Sequence, residues 1–295
     1  MNAIVAKKPL IKQGWLRVLL FCIFYFLLIA VSIYPLKIIL KSMHGNADNL
    51  EELVNGQFLW LAILVAVVIG LIAVVIFRTF VDRKSIMSLG LNFSGHLNDA
   101  IAGLMMAISI LGLGTMILYF SKHLVWTDMT FNANDLFIEF GLLLMVAIYE
   151  ETIFRGYILS NLMESFNKWM ALLVTSILFT LFHFDNPNIN FIPLINVFLA
   201  GMLLGVNYIY SRNLWFAIMF HLGWNFFQGP ILGYKISGFN LSTFLQTELK
   251  GDMLLTGGEF GFEGSVFCTA LMLIATLLLY RAYESREQAA KFNIQ

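Results

Sequence analysis

Long apolar stretches separated by short polar connections recur along the whole chain. A transmembrane helix needs about 20 consecutive apolar residues, because each residue rises about 1.5 Å and the hydrocarbon core is about 30 Å thick. Eight stretches approach that length, at about 15–36, 57–77, 100–121, 137–166, 169–184, 191–210, 214–231 and 264–281. The pattern therefore predicts an all-α, polytopic integral membrane protein with about eight transmembrane helices.

The composition supports a membrane environment and excludes two broad classes of function. Of the 295 residues, 59% are apolar and 12% are charged, whereas about 25% are charged in an average soluble domain. The mean hydropathy is +0.81, which excludes an ordinary soluble enzyme and makes the lipid bilayer the expected surroundings. The 18 basic and 18 acidic residues cancel, so no basic field indicates a nucleic-acid partner.

The basic residues of the connections predict an orientation. An even number of spans places both termini on one side of the membrane. That side would hold Lys7, Lys8, Lys12, Arg17, Arg78, Arg83, Lys84, Lys168, Arg212, Arg281, Arg286 and Lys291, and the other side Lys37, Lys41, Lys122, Lys235 and Lys250. The positive-inside rule therefore predicts a multi-pass protein of the cell membrane with both termini in the cytoplasm.

We divide this single membrane domain into three segments. Residues 1–130 hold helices 1–3, residues 131–232 hold helices 4–7, and residues 233–295 hold a glycine-rich connection and helix 8. The connection includes TGGEFGFEG at 256–264, which could re-enter the membrane or form a plain extracellular loop. We favour the plain loop, with Glu259 and Glu263 as solvated carboxylates rather than parts of a lid.

Three charges lie well inside a predicted span, and all belong to the fourth. They are Glu150, Glu151 and Arg155. Each costs about 2.5–3.5 kcal/mol near the bilayer centre, so the cluster calls for compensation or a function. Glu151 and Arg155 are four residues apart and can pair on one helical face. No basic residue lies three or four positions from Glu150, which makes it the candidate reactive carboxylate.

Further polar side chains lie in the fifth and seventh spans. His183 follows Phe179 by four residues, and Asn225 follows His221 by four, so each pair shares a helical face. If spans four and five form a hairpin, Glu150 and His183 lie at nearly the same depth, because each is a similar number of residues from the turn. We therefore expect the site in the bundle of helices 4, 5 and 7.

Together these residues resemble the CAAX prenyl protease and bacteriocin-processing family of intramembrane endopeptidases. The EExxxR motif of that family reads EETIFR at 150–155, the FxxxH motif reads FTLFH at 179–183, and the HxxxN motif reads HLGWN at 221–225. One motif alone has little specificity. The ordered triplet within membrane spans is a specific signature.

The resemblance implies a glutamic endopeptidase without a cofactor that cuts a membrane-associated protein or peptide. By resemblance, Glu150 and His183 would activate a water molecule, and His221 and Asn225 would stabilise the oxyanion. Glu151, Arg155 and Phe179 would support them. The general chemistry of these side chains agrees with the implied roles. Burial moves the pKa of a carboxyl group towards the working pH, and a neutral amide can donate a hydrogen bond to an oxyanion.

Three other functions stay open. Glu150, His183 and His221 could be the ligands of a zinc metalloprotease, although no HExxH sequence is present. The motifs could instead serve as a structural network in a non-catalytic bacteriocin-immunity or partner-binding membrane protein. Intramembrane Glu and His also build proton pathways.

Overall fold

The computed structural model describes residues 8–44 and 57–292, which are mostly helical. The outer parts of the predicted segments 1–130 and 233–295, at 1–7 and 293–295, and the stretch 45–56 lie outside the described residues. The described residues contain eight helices of twelve or more residues, and each overlaps one predicted apolar stretch. They are α1 (Gly14–His44), α2 (Gln57–Ile76), α3 (Leu97–Phe120), α4 (Ala133–Glu151), α5 (Lys168–Phe182), α6 (Phe191–Ser211), α7 (Trp215–Phe226) and α8 (Val266–Phe292).

Short helical pieces join or extend these helices. Three are π-helical, at Phe77–Val81, Thr152–Leu159 and Phe227–Ile231. Single α-helical turns lie at Ser160–Leu162 and Met253–Thr256. The 3₁₀ turns are Ile86–Leu89, Gly258–Phe260 and Phe262–Gly264.

Five described segments are long and apolar enough to cross a membrane. They are Gly14–Leu36, Trp60–Val81, Leu97–Phe120, Phe191–Ser211 and Val266–Ala289. Helix α5 has 15 residues and α7 has 12, so they extend about 23 and 18 Å, less than the hydrocarbon core. The five segments support an integral membrane protein, and the total of eight spans stays a prediction.

A two-stranded antiparallel sheet is the exception to the predicted all-α class. Strand β1 (Leu124–Met129) pairs with β2 (Leu245–Leu249), with a register irregularity between Trp126 and Asp128. Both strands are short and lie in connections, so their signal is too brief to separate from a loop by periodicity. The predicted all-α class is confirmed for the described residues, and these two short strands are a local addition that the sequence did not predict.

The described chain forms two compact units, each with its own core. The first comprises the described parts of Met1–Leu89 together with Ile148–Asn167. An aromatic cluster of Phe21, Phe77 and Tyr157 lies in its interior, with ring centroids 4.6–6.1 Å apart. Tyr25 and Tyr149 share a buried hydrogen bond of 2.5 Å.

The second unit comprises Gly90–Ala147 and Lys168–Gln295, again in its described part. Helix α3 packs closely along α7, α5 packs on α6, and α6 packs on α8. Small residues permit these approaches: a Cβ on Gly103 of α3 would lie 2.2 Å from the Phe216 carbonyl oxygen, and one on Gly201 of α6 would lie 3.0 Å from Ser176. Small residues at such crossings are typical of helix packing in membrane proteins.

Candidate active site

The EExxxR motif lies where α4 ends, within the first unit. Glu150 is half-buried, and Glu151 and Arg155 are fully buried. Arg155 Nη1 donates to Glu151 Oε1 at 2.7 Å. The predicted pairing of Glu151 with Arg155 is therefore confirmed, because the two charges neutralise each other inside the protein.

The helix changes its hydrogen-bonding pattern at this motif. From Thr152 to Leu159 the backbone is π-helical, and all eight of these residues are buried. A π-helical turn holds more residues than an α-helical turn and is found frequently at functional sites. The predicted helix at 137–166 is therefore interrupted, since regular α-helix ends at Glu151.

A buried polar network holds the segment that follows the motif. Asp82 accepts hydrogen bonds from Arg17 Nη1 at 3.1 Å, from Arg78 Nη1 at 2.9 Å and from Asn161 Nδ2 at 3.1 Å. Arg17 also pairs with Glu164. The sequence placed Arg17 and Arg78 on the predicted cytoplasmic side and did not identify Asp82 as their buried partner. The four-residue spacing of Arg78 and Asp82 was a usable signal for a pair.

The FxxxH motif lies in the second unit, at the end of α5. His183 follows the last helical residue and is half-buried, while Phe179 is buried. His183 Nδ1 lies 2.8 Å from the Phe179 carbonyl oxygen, and the two ring centroids are 4.6 Å apart. Because a carbonyl oxygen only accepts, Nδ1 is the donor in this hydrogen bond.

The HxxxN motif lies on α7, also in the second unit. His221 is half-buried and Asn225 is buried, one helical turn apart on the same face. Helix α7 ends at Phe226 and continues as the π-helical turn Phe227–Ile231. π-Helical backbone thus begins within the EExxxR motif and two residues after the end of the HxxxN motif.

The glycine-rich segment 256–264 packs into the second unit. Phe260 and Phe262 are fully buried within it. Glu263 is buried and accepts hydrogen bonds from Trp224 and Ser237, whereas the Glu259 side chain is 68% exposed and pairs with Lys235. The prediction of a plain exposed loop was therefore wrong for most of this segment, and the prediction of a solvated carboxylate was wrong for Glu263 and correct for Glu259.

The candidate residues divide between the two units. Glu150, Glu151 and Arg155 belong to the first, and Phe179, His183, His221 and Asn225 belong to the second. Within each unit the structure joins Glu151 to Arg155 and Phe179 to His183. The predicted convergence of Glu150 with the two histidines and Asn225 stays a prediction.

A zinc site would need a group of His, Cys, Asp or Glu side chains directed at one point. No group of three or more His, Cys, Asp or Glu side chains within 8–44 and 57–292 is arranged to hold a metal ion. Cys22 and Cys268 are both free thiols in apolar surroundings. A chelation experiment therefore has to decide whether cleavage requires a bound zinc ion.

Comparison with known proteins bears on the segment that holds all three motifs. Residues 132–227 match the family model described as Rce1-like, type II CAAX prenyl endopeptidase Rce1-like. No curated protein and no solved structure matches the chain. The family match covers less than half of the chain, and it confirms the resemblance predicted from the motifs. Residues 132–227 are therefore similar to the Rce1-like family of type II CAAX prenyl endopeptidases.

Proposed function

We propose that this integral membrane protein is an intramembrane endopeptidase that hydrolyses a peptide bond in a membrane-associated protein or peptide. The observation that carries the proposal is the ordered motif triplet, all of it inside the segment that matches the CAAX endopeptidase family. The buried Glu151–Arg155 pair adds support.

In the proposed reaction, Glu150 and His183 activate one water molecule. Glu150 takes a proton from the water as its oxygen attacks the carbonyl carbon of the scissile bond. His183 Nε2 accepts a hydrogen bond from the same water, because its Nδ1 proton is directed at the Phe179 carbonyl. The tetrahedral intermediate then collapses, the C–N bond breaks, and the proton moves from Glu150 to the leaving amine.

His221 and Asn225 stabilise the oxyanion of that intermediate in the proposal. Asn225 donates through a neutral amide, so its contribution does not depend on pH. A single donor of this kind is worth about 3–4 kcal/mol of transition-state stabilisation. The burial of Asn225 favours this role, because a hydrogen bond is stronger where water is excluded.

Glu151, Arg155 and Phe179 support the reacting groups rather than touching the substrate. The Glu151–Arg155 pair holds the two other charges of the motif together beside Glu150. The Phe179 carbonyl sets the tautomer of His183. Both contacts join residues four positions apart, so each motif contains its own support.

Peptidomics in the native host tests the proposed function. The peptides of wild-type cells are compared with those of cells carrying Glu150→Ala or His183→Ala. We expect at least one precursor to accumulate in both variants and to be absent in a Glu259→Gln control, which alters an exposed carboxylate. Normal expression of both variants with no shared precursor would contradict the protease proposal and favour a non-catalytic partner-binding role.

A chelation experiment distinguishes the glutamic mechanism from the zinc alternative. The purified protein cleaves the accumulated precursor before and after treatment with a metal chelator. We expect the rate to stay the same. Loss of cleavage with the chelator, followed by recovery on addition of Zn²⁺, would replace the metal-free mechanism with one in which Glu150, His183 and His221 bind the metal.

A further inference from the structure

Glu263 is a buried carboxylate that the proposed reaction does not use. It is the next-to-last residue of the glycine-rich segment 256–264 and is only 9% exposed. Its Oε1 accepts a hydrogen bond from Trp224 Nε1 at 2.7 Å. Its Oε2 accepts from the backbone N–H of Ser237 at 2.9 Å and from the Ser237 hydroxyl at 2.8 Å. Both oxygens of this carboxylate are thus engaged, by donors from two different parts of the chain.

The backbone at Glu263 is held from a third direction. Asn196 of α6 donates through Nδ2 to the carbonyl oxygens of Glu263 and Ser265, at 2.7 and 2.9 Å. Thr269 of α8 donates to Asn196 Oδ1 at 2.7 Å. Glu263 is therefore fixed at its backbone by α6 and α8, and its carboxylate has little freedom to move.

The glycines allow the segment to adopt this position. Gly261 has φ +96°, and a Cβ there would lie 2.0 Å from the Lys235 carbonyl oxygen. On α3, a Cβ on Gly114 would lie 2.1 Å from the Phe262 ring, so this glycine makes room for the aromatic side chain. Phe262 in turn directly precedes Glu263, which places the carboxylate against α7.

The partner of Glu263 on α7 lies between the two residues of the HxxxN motif. Trp224 follows His221 by three positions and precedes Asn225 by one, about 100° away around the helix. Its indole stacks on Phe220 with ring centroids 5.8 Å apart and is 5% exposed. Holding the indole at a fixed point therefore sets the rotation of α7 about its axis, and that rotation sets where His221 and Asn225 point.

We propose that Glu263 is a positioning residue for the oxyanion side of the active site, acting on His221 and Asn225 through Trp224. This inference rests on the proposed function of those two residues. A donor displaced from the oxyanion by a fraction of an ångström still binds substrate, but it stabilises the transition state less. The loss of Glu263 therefore lowers kcat and leaves KM close to its original value.

The first test compares Glu263→Gln with Glu259→Gln. Glutamine keeps the size of the side chain, but its amide has only one acceptor oxygen. In either orientation, its NH₂ group therefore faces the donor at Trp224 or the donors at Ser237. We expect kcat to fall on the order of 10- to 100-fold, as for a small misplacement of catalytic groups. KM should stay within about twofold, and Glu259→Gln should behave as wild type because that carboxylate is exposed.

A coupling experiment identifies the contact that transmits the effect. Trp224→Phe removes the Nε1 donor and keeps an aromatic ring. If both residues act through one hydrogen bond, the Glu263→Gln/Trp224→Phe double variant loses no more kcat than the more affected single variant, within about threefold. If the double variant instead loses kcat by the product of the two single-variant factors, Glu263 does not act through Trp224, and the proposal is overturned.

Hydrogen exchange provides a readout that is independent of activity. We expect the amides of 215–231 to exchange faster in Glu263→Gln than in wild type or Glu259→Gln, at an unchanged global unfolding temperature. Equal kcat and equal exchange in the two glutamine variants would overturn the proposal. If Glu150→Gln cleaves the precursor as fast as wild type does, the proposed function fails. The exchange comparison still decides in that case whether Glu263 positions α7.

Discussion

At the scale of single residues, the buried pair of Glu151 and Arg155 separates stability from activity. Glu151→Gln removes the carboxylate that accepts the hydrogen bond from Nη1 of the fully buried Arg155 guanidinium. Breaking a buried ion pair from one side costs about 3–5 kcal/mol, because the remaining charge is desolvated and uncompensated. We therefore expect a large fall in unfolding temperature for the detergent-solubilised protein, measured by thermal denaturation.

Removing both charges is the control for this pair. The double variant Glu151→Gln/Arg155→Met buries no charge at these positions, so it should recover much of the lost stability. Equal unfolding temperatures for the single and double variants would contradict the idea that the uncompensated guanidinium causes the loss. Glu150→Gln, which leaves the pair intact, should retain the wild-type unfolding temperature while losing cleavage.

A second residue-scale prediction concerns Asn225. Asn225→Ala removes the proposed oxyanion donor, and we expect kcat on the accumulated precursor to fall about 10²- to 10³-fold with little change in KM. Asn225→Asp keeps the shape but replaces the donor with an anionic acceptor, so it should not restore the rate. A variant that raised KM alone would place Asn225 in substrate binding instead.

Single-residue contacts were predictable from sequence only where they are local. Glu151 with Arg155, and Phe179 with His183, are four residues apart, so helical geometry alone brings them together. Asp82 meets Arg17 across 65 positions and Asn161 across 79. Glu263 meets Trp224 across 39. Such contacts depend on how helices pack, and a single sequence carries no periodic signal for them.

At the scale of helices, the crossing of α3 and α7 depends on Gly103. An alanine Cβ at this position would lie 2.2 Å from the backbone oxygen of Phe216, and backbone cannot rotate away as a side chain can. Overpacking of this kind costs about 1–3 kcal/mol. We expect Gly103→Ala to lower the unfolding temperature and, because α7 carries His221 and Asn225, to lower activity as well.

Gly112→Ala is the matched control on the same helix. Nothing lies within 4 Å of a Cβ at Gly112, and alanine favours helix over glycine by about 1 kcal/mol. This variant should keep or raise the unfolding temperature and keep wild-type activity. If both variants lost stability equally, the packing of α3 on α7 would not be the cause.

Apolar periodicity predicted where the helices lie but not how they change along their length. All eight long helices of the described chain overlap predicted stretches. The π-helical turns at 152–159 and 227–231 and the paired strands β1 and β2 were not predicted. A π-helical turn changes the hydrogen-bond partner and leaves the apolar composition unchanged, so a hydrophobicity pattern cannot reveal it.

At the scale of the whole molecule, the low charge content becomes informative through the positions of the charges. The connections carry most of the basic residues, and the predicted cytoplasmic side carries more of them. Five apolar segments of spanning length support the membrane setting. These segments do not indicate which side of the membrane each connection faces. The orientation is predicted from the loop charges alone, so it needs its own test.

Cysteine labelling tests that orientation directly. In a background with Cys22 and Cys268 replaced by alanine, single cysteines are introduced as Arg83→Cys or Lys250→Cys; both positions are solvent-exposed. Because the positive-inside rule places Arg83 in the cytoplasm and Lys250 outside, a membrane-impermeant maleimide should label Lys250→Cys in intact cells. It should label Arg83→Cys only after permeabilisation. Labelling of Arg83→Cys in intact cells would reverse the predicted topology, and labelling of both would contradict an odd number of crossings between them.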